Sequence, residues 1–175
     1  MREGEELTVC DAQGYDYRCA VVSAQGDRVM LRVLEKKRCE AEPSLAVTLF
    51  QCLTKGDKMD TIVQKAVELG VERIVPVLSC RSVSRPDEKA AAKKRERWQK
   101  IAREAAMQAG RGKVPQVAPV TGFREAVRAF SAFPVAAVCY EGGGEPLSSL
   151  VQPSLSSAAL FIGPEGGIAP EEIDA

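Results

Sequence analysis

Beyond residue 44 the chain alternates short apolar runs with amphipathic stretches, and this restricts the fold more than any other feature of the sequence. Residues 47–53 and Arg73–Leu78 read as buried strands flanking a helix, the mark of parallel β-α-β units, because strands covered on both faces lose the polar/apolar alternation of half-exposed ones. In the helix between them Met59, Ile62, Val63, Ala66 and Val67 recur at helical spacing, while Lys58, Gln64, Lys65 and Glu68 take the other side. Gly70 supplies its stop. A long helix is expected over residues 88–109, with Trp98, Ile101, Ala105 and Ala106 facing inward and Gly110 at its end. A strand at 114–120, a helix at 123–130 and strands at 135–140 and 158–162 complete the series. The alternation predicts a parallel sheet covered by helices, the kind that binds ligands beyond the carboxyl ends of its strands.

The first third reads differently. Residues 7–9, 15–22 and 29–34 are short runs rich in β-branched and aromatic residues, separated by Asp11-Ala12-Gln13-Gly14 and Ala24-Gln25-Gly26-Asp27. Such punctuation predicts an antiparallel meander, here a small barrel fragment. Glu35-Lys36-Lys37-Arg38 and Pro43 read as a linker, so the expected domains are residues 1–42 and 43–175.

Composition closes several doors. The longest apolar stretches, 45–53 and 135–140, fall far short of the roughly 20 residues needed to cross a bilayer, so no membrane segment is expected. Met1-Arg2-Glu3-Gly4-Glu5-Glu6 is charged where an export signal needs an apolar run, which points to the cytoplasm. Six cysteines without a C-x-x-C pair, four of them in strand-like runs, suit buried free thiols in a reducing compartment. Histidine is absent, which removes the commonest general base and zinc ligand; hydrolase triads and metal sites are not expected. The net charge is zero, yet residues 81–113 hold eleven Lys and Arg against four Asp and Glu. That stretch serves either as a phosphate-facing surface or as the solvated face of a helix.

Two loops leave strand ends with unusual composition: Glu141-Gly142-Gly143-Gly144-Glu145 after Tyr140, and Gly163-Pro164-Glu165-Gly166-Gly167 after Ile162. Glycines let backbone N–H groups approach a ligand and admit positive φ, so an adenosine could be held by backbone there. The plain alternative is a strand-to-helix turn, with Pro170, Glu171 and Glu172 opening a helix. Neither a G-x-G-x-x-G nor a P-loop is present. Thr54-Lys55-Gly56-Asp57-Lys58 and Arg81-Ser82-Val83-Ser84-Arg85 also follow strand ends. Their cations suit phosphate; a helix cap at Asp57 and a merely basic loop are the alternatives.

Read in order, Lys55-x-Asp57-Lys58-Met59-Asp60, Gln64-Lys65-x-x-Glu68-Leu69-Gly70-Val71, Arg81-Ser82, Trp98-x-x-Ile101-x-x-Glu104-Ala105, Gln108-x-x-Arg111-x-x-Val114-Pro115 and Ile162-Gly163-Pro164-Glu165-Gly166-Gly167 resemble a known family. It is the SPOUT-class family that methylates N3 of a uridine in small-subunit ribosomal RNA, and the resemblance runs over essentially the whole chain. It implies a PUA-like N-terminal β-barrel that helps bind RNA, a SPOUT α/β domain with a trefoil knot, a homodimer, and S-adenosylmethionine as methyl donor. Tyr140, Glu141 and Ile162 through Gly167 match the family's cofactor site, and Lys55, Lys58, Arg81, Arg85 and Arg111 are the expected contacts to 16S rRNA in the small subunit.

An activated sulfonium methyl needs alignment with the uracil nitrogen and no covalent nucleophile, which suits a chain without histidine. No residue is assigned as the base for N3. Members of the family continue past the glycine-rich loop through a further strand, a loop and a final helix, and begin with an additional strand. Residues 1–175 are therefore expected to lack part of the knot and to be inactive alone. The competing readings are a non-catalytic RNA-binding protein and a nucleotide or sugar-phosphate enzyme of ordinary doubly wound type.

Overall fold

In the computed structural model, which describes residues 1–150 and 152–174, the chain divides into two compact units. The first comprises Met1–Glu42 with Ala106–Val114, the second Pro43–Ala105 with Pro115–Ala175.

The first unit is a three-stranded antiparallel sheet in the order β1 (Glu6–Cys10), β2 (Tyr15–Gln25), β3 (Arg28–Arg38). The expected meander is present, but Glu35-Lys36-Lys37-Arg38 is strand and not linker. Register explains it: Arg38, Lys37, Lys36 and Glu35 lie opposite Tyr15, Asp16, Tyr17 and Arg18. The Lys36 ammonium stands 4.1 Å from the Tyr15 ring centroid, and Arg18 bridges to Glu35 at 3.3 Å and Glu6 at 3.0 Å. These cross-strand pairs supply what apolar alternation does not. Residues 111–113 join the same unit. Gly14 N–H donates to Gly112 C=O at 2.7 Å, and a Cβ on Gly112 would stand 2.5 Å from Cys39 Cβ.

The second unit is a parallel sheet. Its elements are β4 (Ala46–Cys52), α1 (Lys58–Glu68), β5 (Arg73–Leu78), α2 (Glu88–Gln108), β6 (Gln116–Val117), β7 (Thr121–Gly122), α3 (Phe123–Phe130), β8 (Ala136–Cys139), α4 (Leu147–Leu150), β9 (Ser157–Ile162) and α5 (Pro170–Ile173). The order is β6-β5-β4-β9-β8, with β7 also pairing β5. The strand expected over 114–120 is two short pieces instead. Pro115 and Pro119 have no N–H to give to a ladder, so pairing lapses around each of them.

Strand alternation sorts the two faces of this sheet. Phe50 lies opposite Val75 and Phe161 in register, and its ring stacks on Phe161 at 6.0 Å and meets Phe130 edge-on at 5.6 Å. Ala126, Phe130 and Ile168 close this side of the core. On the other side α1 buries Met59, Val63, Ala66 and Val67, and Gly70 leaves the helix at φ +98°. Trp98 and Ala102 of α2 are buried, with Lys94 over the Trp98 ring.

Cysteine burial departs from expectation. Cys19 and Cys52 are buried, whereas Cys10, Cys80 and Cys139 are exposed and Cys39 is half-buried. Cys10 ends an outer strand, Cys139 sits on the sheet's last strand, and Cys80 is in a loop. Burial pushes the Cys52 thiol up to about 11. Among the described residues no helix is long and apolar enough to cross a membrane.

Candidate active site

The loops that leave β4, β5, β8 and β9 meet around residues 163–167. Packing requires glycine at position 163: an added Cβ would lie 2.9 Å from Ile168 Cγ1, 3.1 Å from the Gly167 carbonyl carbon and 3.2 Å from the Ile168 nitrogen. Gly167 has φ +69° and donates its N–H to Pro164 C=O at 2.9 Å, closing a tight turn. Across from it stands the loop after β8, where Glu141 Oε1 is 3.0 Å from the position a Gly167 Cβ would take. Gly142 lies against the Tyr140 ring, which is itself 40% exposed. The β8 and β9 loops therefore share one site.

Glu165 fastens the β9 loop to the β4–α1 turn. Its carboxylate accepts the Lys55 N–H at 3.1 Å and pairs with the Lys58 ammonium at 3.0 Å. Its own backbone N–H, then the Lys58 and Lys55 donors, hold the carboxyl below the usual carboxylate range. Arg81, from the loop after β5, donates to Gly166 C=O at 2.7 Å and to Ile168 C=O at 3.4 Å. Glu172 of α5 accepts the Cys80 N–H at 2.8 Å and the Ala169 N–H at 3.4 Å, so the segment that follows the glycines is tied to the β5 loop too.

Two further polar residues, Gln51 and Thr54, belong to the site. Gln51, 2% exposed within an otherwise apolar strand, donates its amide to Gly163 C=O at 3.3 Å and Cys52 C=O at 3.1 Å. A glutamine inside an otherwise apolar, buried strand is the sequence signal for this role. Thr54 is 7% exposed, and its hydroxyl finds no hydrogen-bond partner among the described residues. Both line a groove of about 520 Å³ between α1 and the β4–β9 pair, closed at one end by Gly163, Pro164 and Glu165.

Of the residues expected to meet RNA, Lys55, Lys58 and Arg81 converge on the 163–167 loop. Arg85 donates to Cys80 C=O at 2.7 Å and Ser79 C=O at 3.2 Å, bracing the loop beside Arg81. Arg111 lies elsewhere, in the first unit, 7% exposed and paired with Glu42 at 2.9 Å. The guanidinium is buried and the Glu42 carboxylate half-buried, so the contact that Arg111 makes within this chain is a structural ion pair. Asp57 precedes α1 but makes no side-chain cap; its carboxylate lies 3.7 Å from Arg97, which also pairs with Asp60. No group of three or more metal-binding side chains occurs among the described residues.

A profile of the RNA methyltransferase domain family matches residues 41–175. The ribosomal RNA small subunit methyltransferase E of Bacillus subtilis (strain 168) is 36% identical over 181 residues, covering 99% of this chain and 71% of that protein. The chain belongs to this methyltransferase family. Two solved structures of similar proteins carry the same architecture. The ribosomal RNA small subunit methyltransferase E of Neisseria gonorrhoeae, bound to S-adenosyl methionine, superposes with a TM-score of 0.83 at 33% identity, covering 99% of this chain and 72% of that one. A protein from Legionella pneumophila, in complex with the same cofactor, gives 0.85 at 28% identity, covering 99% of this chain and 71% of that one. With family and fold agreed, the four converging loops are the place within this family member where ligand chemistry is sought.

Proposed function

We propose that the protein transfers a methyl group from S-adenosylmethionine to N3 of a uridine in 16S rRNA of the small ribosomal subunit, in the cytoplasm and as a homodimer. The observation that carries this reading is the convergence of the β4, β5 and β8 loops on residues 163–167, at the end of the sheet where such folds take ligands. Family membership supplies the reaction class, and the resemblance read from the sequence supplies the base, the nitrogen and the dimer.

The residues present fit an adenosine-bearing donor. Gly166 has only Arg81 carbons, at 3.8 Å or more, near where a Cβ would stand, so a ligand can approach its backbone. The Glu141 carboxylate stands beside the neighbouring Gly167, and the Tyr140 ring packs on Gly142 of the same loop as Glu141. Tyr140, Glu141, Ile162 and residues 163–167 would hold the donor. When bound, it supplies an electrophilic methyl group already activated by its sulfonium. This chain's own part is alignment: Gln51, Glu165 and Arg81 pin the loop at Gly163, Lys55, Lys58 and Gly166, fixing the geometry that brings two reactants together. Lys55, Lys58, Arg81 and Arg85 are the cations facing RNA in this reading, with Arg111 left out.

Calorimetric titration of S-adenosylmethionine into the protein in its full natural extent tests the proposal. Saturable binding at one site per chain, weakened when Gly166 is replaced by valine, is expected. A protein that retains affinity for small-subunit RNA but takes up no donor would be the non-catalytic RNA-binding protein instead.

A further inference from the structure

Partners divide the basic stretch of residues 81–113. Arg81 and Arg85 donate to backbone carbonyls around the site, Arg97 pairs with Asp57 and Asp60, Lys94 lies over the Trp98 ring, and Arg111 pairs with Glu42. Arg95, Lys100 and Arg103 instead line a groove of about 480 Å³ along α2, together with Ala92, Glu96 and Gln99. The floor of this groove is fixed to the edge of the sheet. Gln99 donates its amide to Pro115 C=O at 2.9 Å and accepts the Val117 N–H at 2.9 Å, and Arg95 Nε donates to Val117 C=O at 3.0 Å. That one bond orients the Arg95 guanidinium and leaves its other N–H groups without a partner among the described residues. Lys100 is 78% exposed and 3.9 Å from a Glu104 that is also mostly exposed, a contact worth little in water. The Arg103 side chain makes no ion pair or hydrogen bond among the described residues.

We propose that this groove of α2 grips the sugar-phosphate backbone of the rRNA, as a docking surface apart from the residues that meet donor and uridine. This rests on the reading of small-subunit rRNA as the substrate. Three cations against one carboxylate, Glu96, suit a polyanion. Arg95 to Arg103 covers about 12 Å of helix axis, so the groove matches a run of phosphates and not one small anion. A guanidinium meets phosphate oxygens through paired N–H groups, and that of Arg95 is already held in place, so little side-chain freedom is lost on contact. Contacts of this kind hold an RNA in position without reading its sequence. The groove shares no residue with the 163–167 loop or with Lys55, Lys58 and Arg81, which brace that loop. Its loss therefore acts on RNA binding and leaves the donor site as it is.

Lys100→Gln with Arg103→Gln removes two exposed cations from the groove, and Glu96→Lys adds one. Arg124→Gln with Arg128→Gln removes two exposed cations from α3 as a control for net charge. Binding of each variant, in the protein's full natural extent, to small subunits and to protein-free 16S rRNA is measured across a salt series, alongside kcat, KM and S-adenosylmethionine affinity. The proposal expects the α2 double variant to bind both RNAs about tenfold more weakly at low salt and to lower the salt slope by about two. Its KM for subunits rises, with kcat and donor affinity unchanged. Glu96→Lys should bind both RNAs more tightly, a gain that damage to the fold cannot produce, and the α3 pair should match wild type. Unchanged RNA affinity in the α2 double variant or in Glu96→Lys overturns the proposal and leaves the methyltransferase reading intact. An equal loss from the α3 pair overturns it as well, because net charge alone would then be at work. Weakening toward subunits but not toward protein-free rRNA assigns the groove to a ribosomal protein, with the same consequence. Wild-type protein that binds the donor but neither RNA removes rRNA as the substrate, and this proposal with it.

Discussion

Gly163→Ala is the sharpest perturbation of the site, because one methyl group reads out how tightly the loop is packed. The new Cβ would sit 2.9 Å from Ile168 Cγ1, 3.1 Å from the Gly167 carbonyl carbon and 3.2 Å from the Ile168 nitrogen. Non-bonded heavy atoms prefer about 3.5–4.0 Å, so all three contacts are too close. Two of them are backbone. The third belongs to a side chain 4% exposed in the aromatic core with Phe50, Phe130 and Phe161, which leaves it little freedom to turn away. Overpacking of this kind costs about 1–3 kcal/mol. At a urea dependence of roughly 2 kcal/mol per molar, the unfolding midpoint should fall by about 0.5–1.5 M. Trp98, the single tryptophan and 3% exposed in the second unit, reports that transition by fluorescence. Donor affinity should fall together with stability, since Gly163 cannot move without disturbing its bond from Gln51. An alanine variant with an unchanged midpoint and unchanged donor affinity would refute the packing argument.

Two further perturbations probe the two units. Arg111→Met leaves the half-buried Glu42 with only the Lys113 N–H and should destabilise by about 1–3 kcal/mol, measured by chemical denaturation. Burial works to raise the Glu42 carboxyl, but Arg111 and the Lys113 N–H outweigh it and hold it below the ordinary value of 4.5. Its contribution is therefore complete above about pH 4.5 and lost as pH falls through the lower folded value, so wild-type stability should drop in that acid window and the Met variant's should drop less. Phe50→Ala empties the centre of the aromatic cluster and should cost about 3–5 kcal/mol by the same measurement, with a loss under 1 kcal/mol sinking this account of the core.

The local parts of the fold were legible because their signals are local. Helical spacing from Met59 to Val67 and the apolar run Arg73–Leu78 gave α1 and β5, and Phe123–Phe130 appeared as read. Departures came from distant partners and, at 114–120, from two prolines within the run itself. Residues 35–38 look like a charged linker until Tyr15 and Tyr17 stand opposite them, and the two prolines that break 114–120 were outweighed by its valines. The sheet order, which places β9 between β4 and β8, rests on contacts over a hundred residues apart. The same holds at the site. Glycines at 163–167 advertised a loop, but nothing near Gln51 in the sequence says that its amide will hold Gly163, 112 positions away. Arg111 is the converse case: a basic residue between glycines looks solvent-facing in the sequence, yet Glu42 lies against it.

Nucleoside mass spectrometry of 16S rRNA from small subunits incubated with S-adenosylmethionine and the protein in its full natural extent decides whether the protein methylates N3 of a uridine. One new 3-methyluridine is expected, absent when the protein is omitted. Absence of any new methylated nucleoside, or a methyl group on another base or atom, would contradict it.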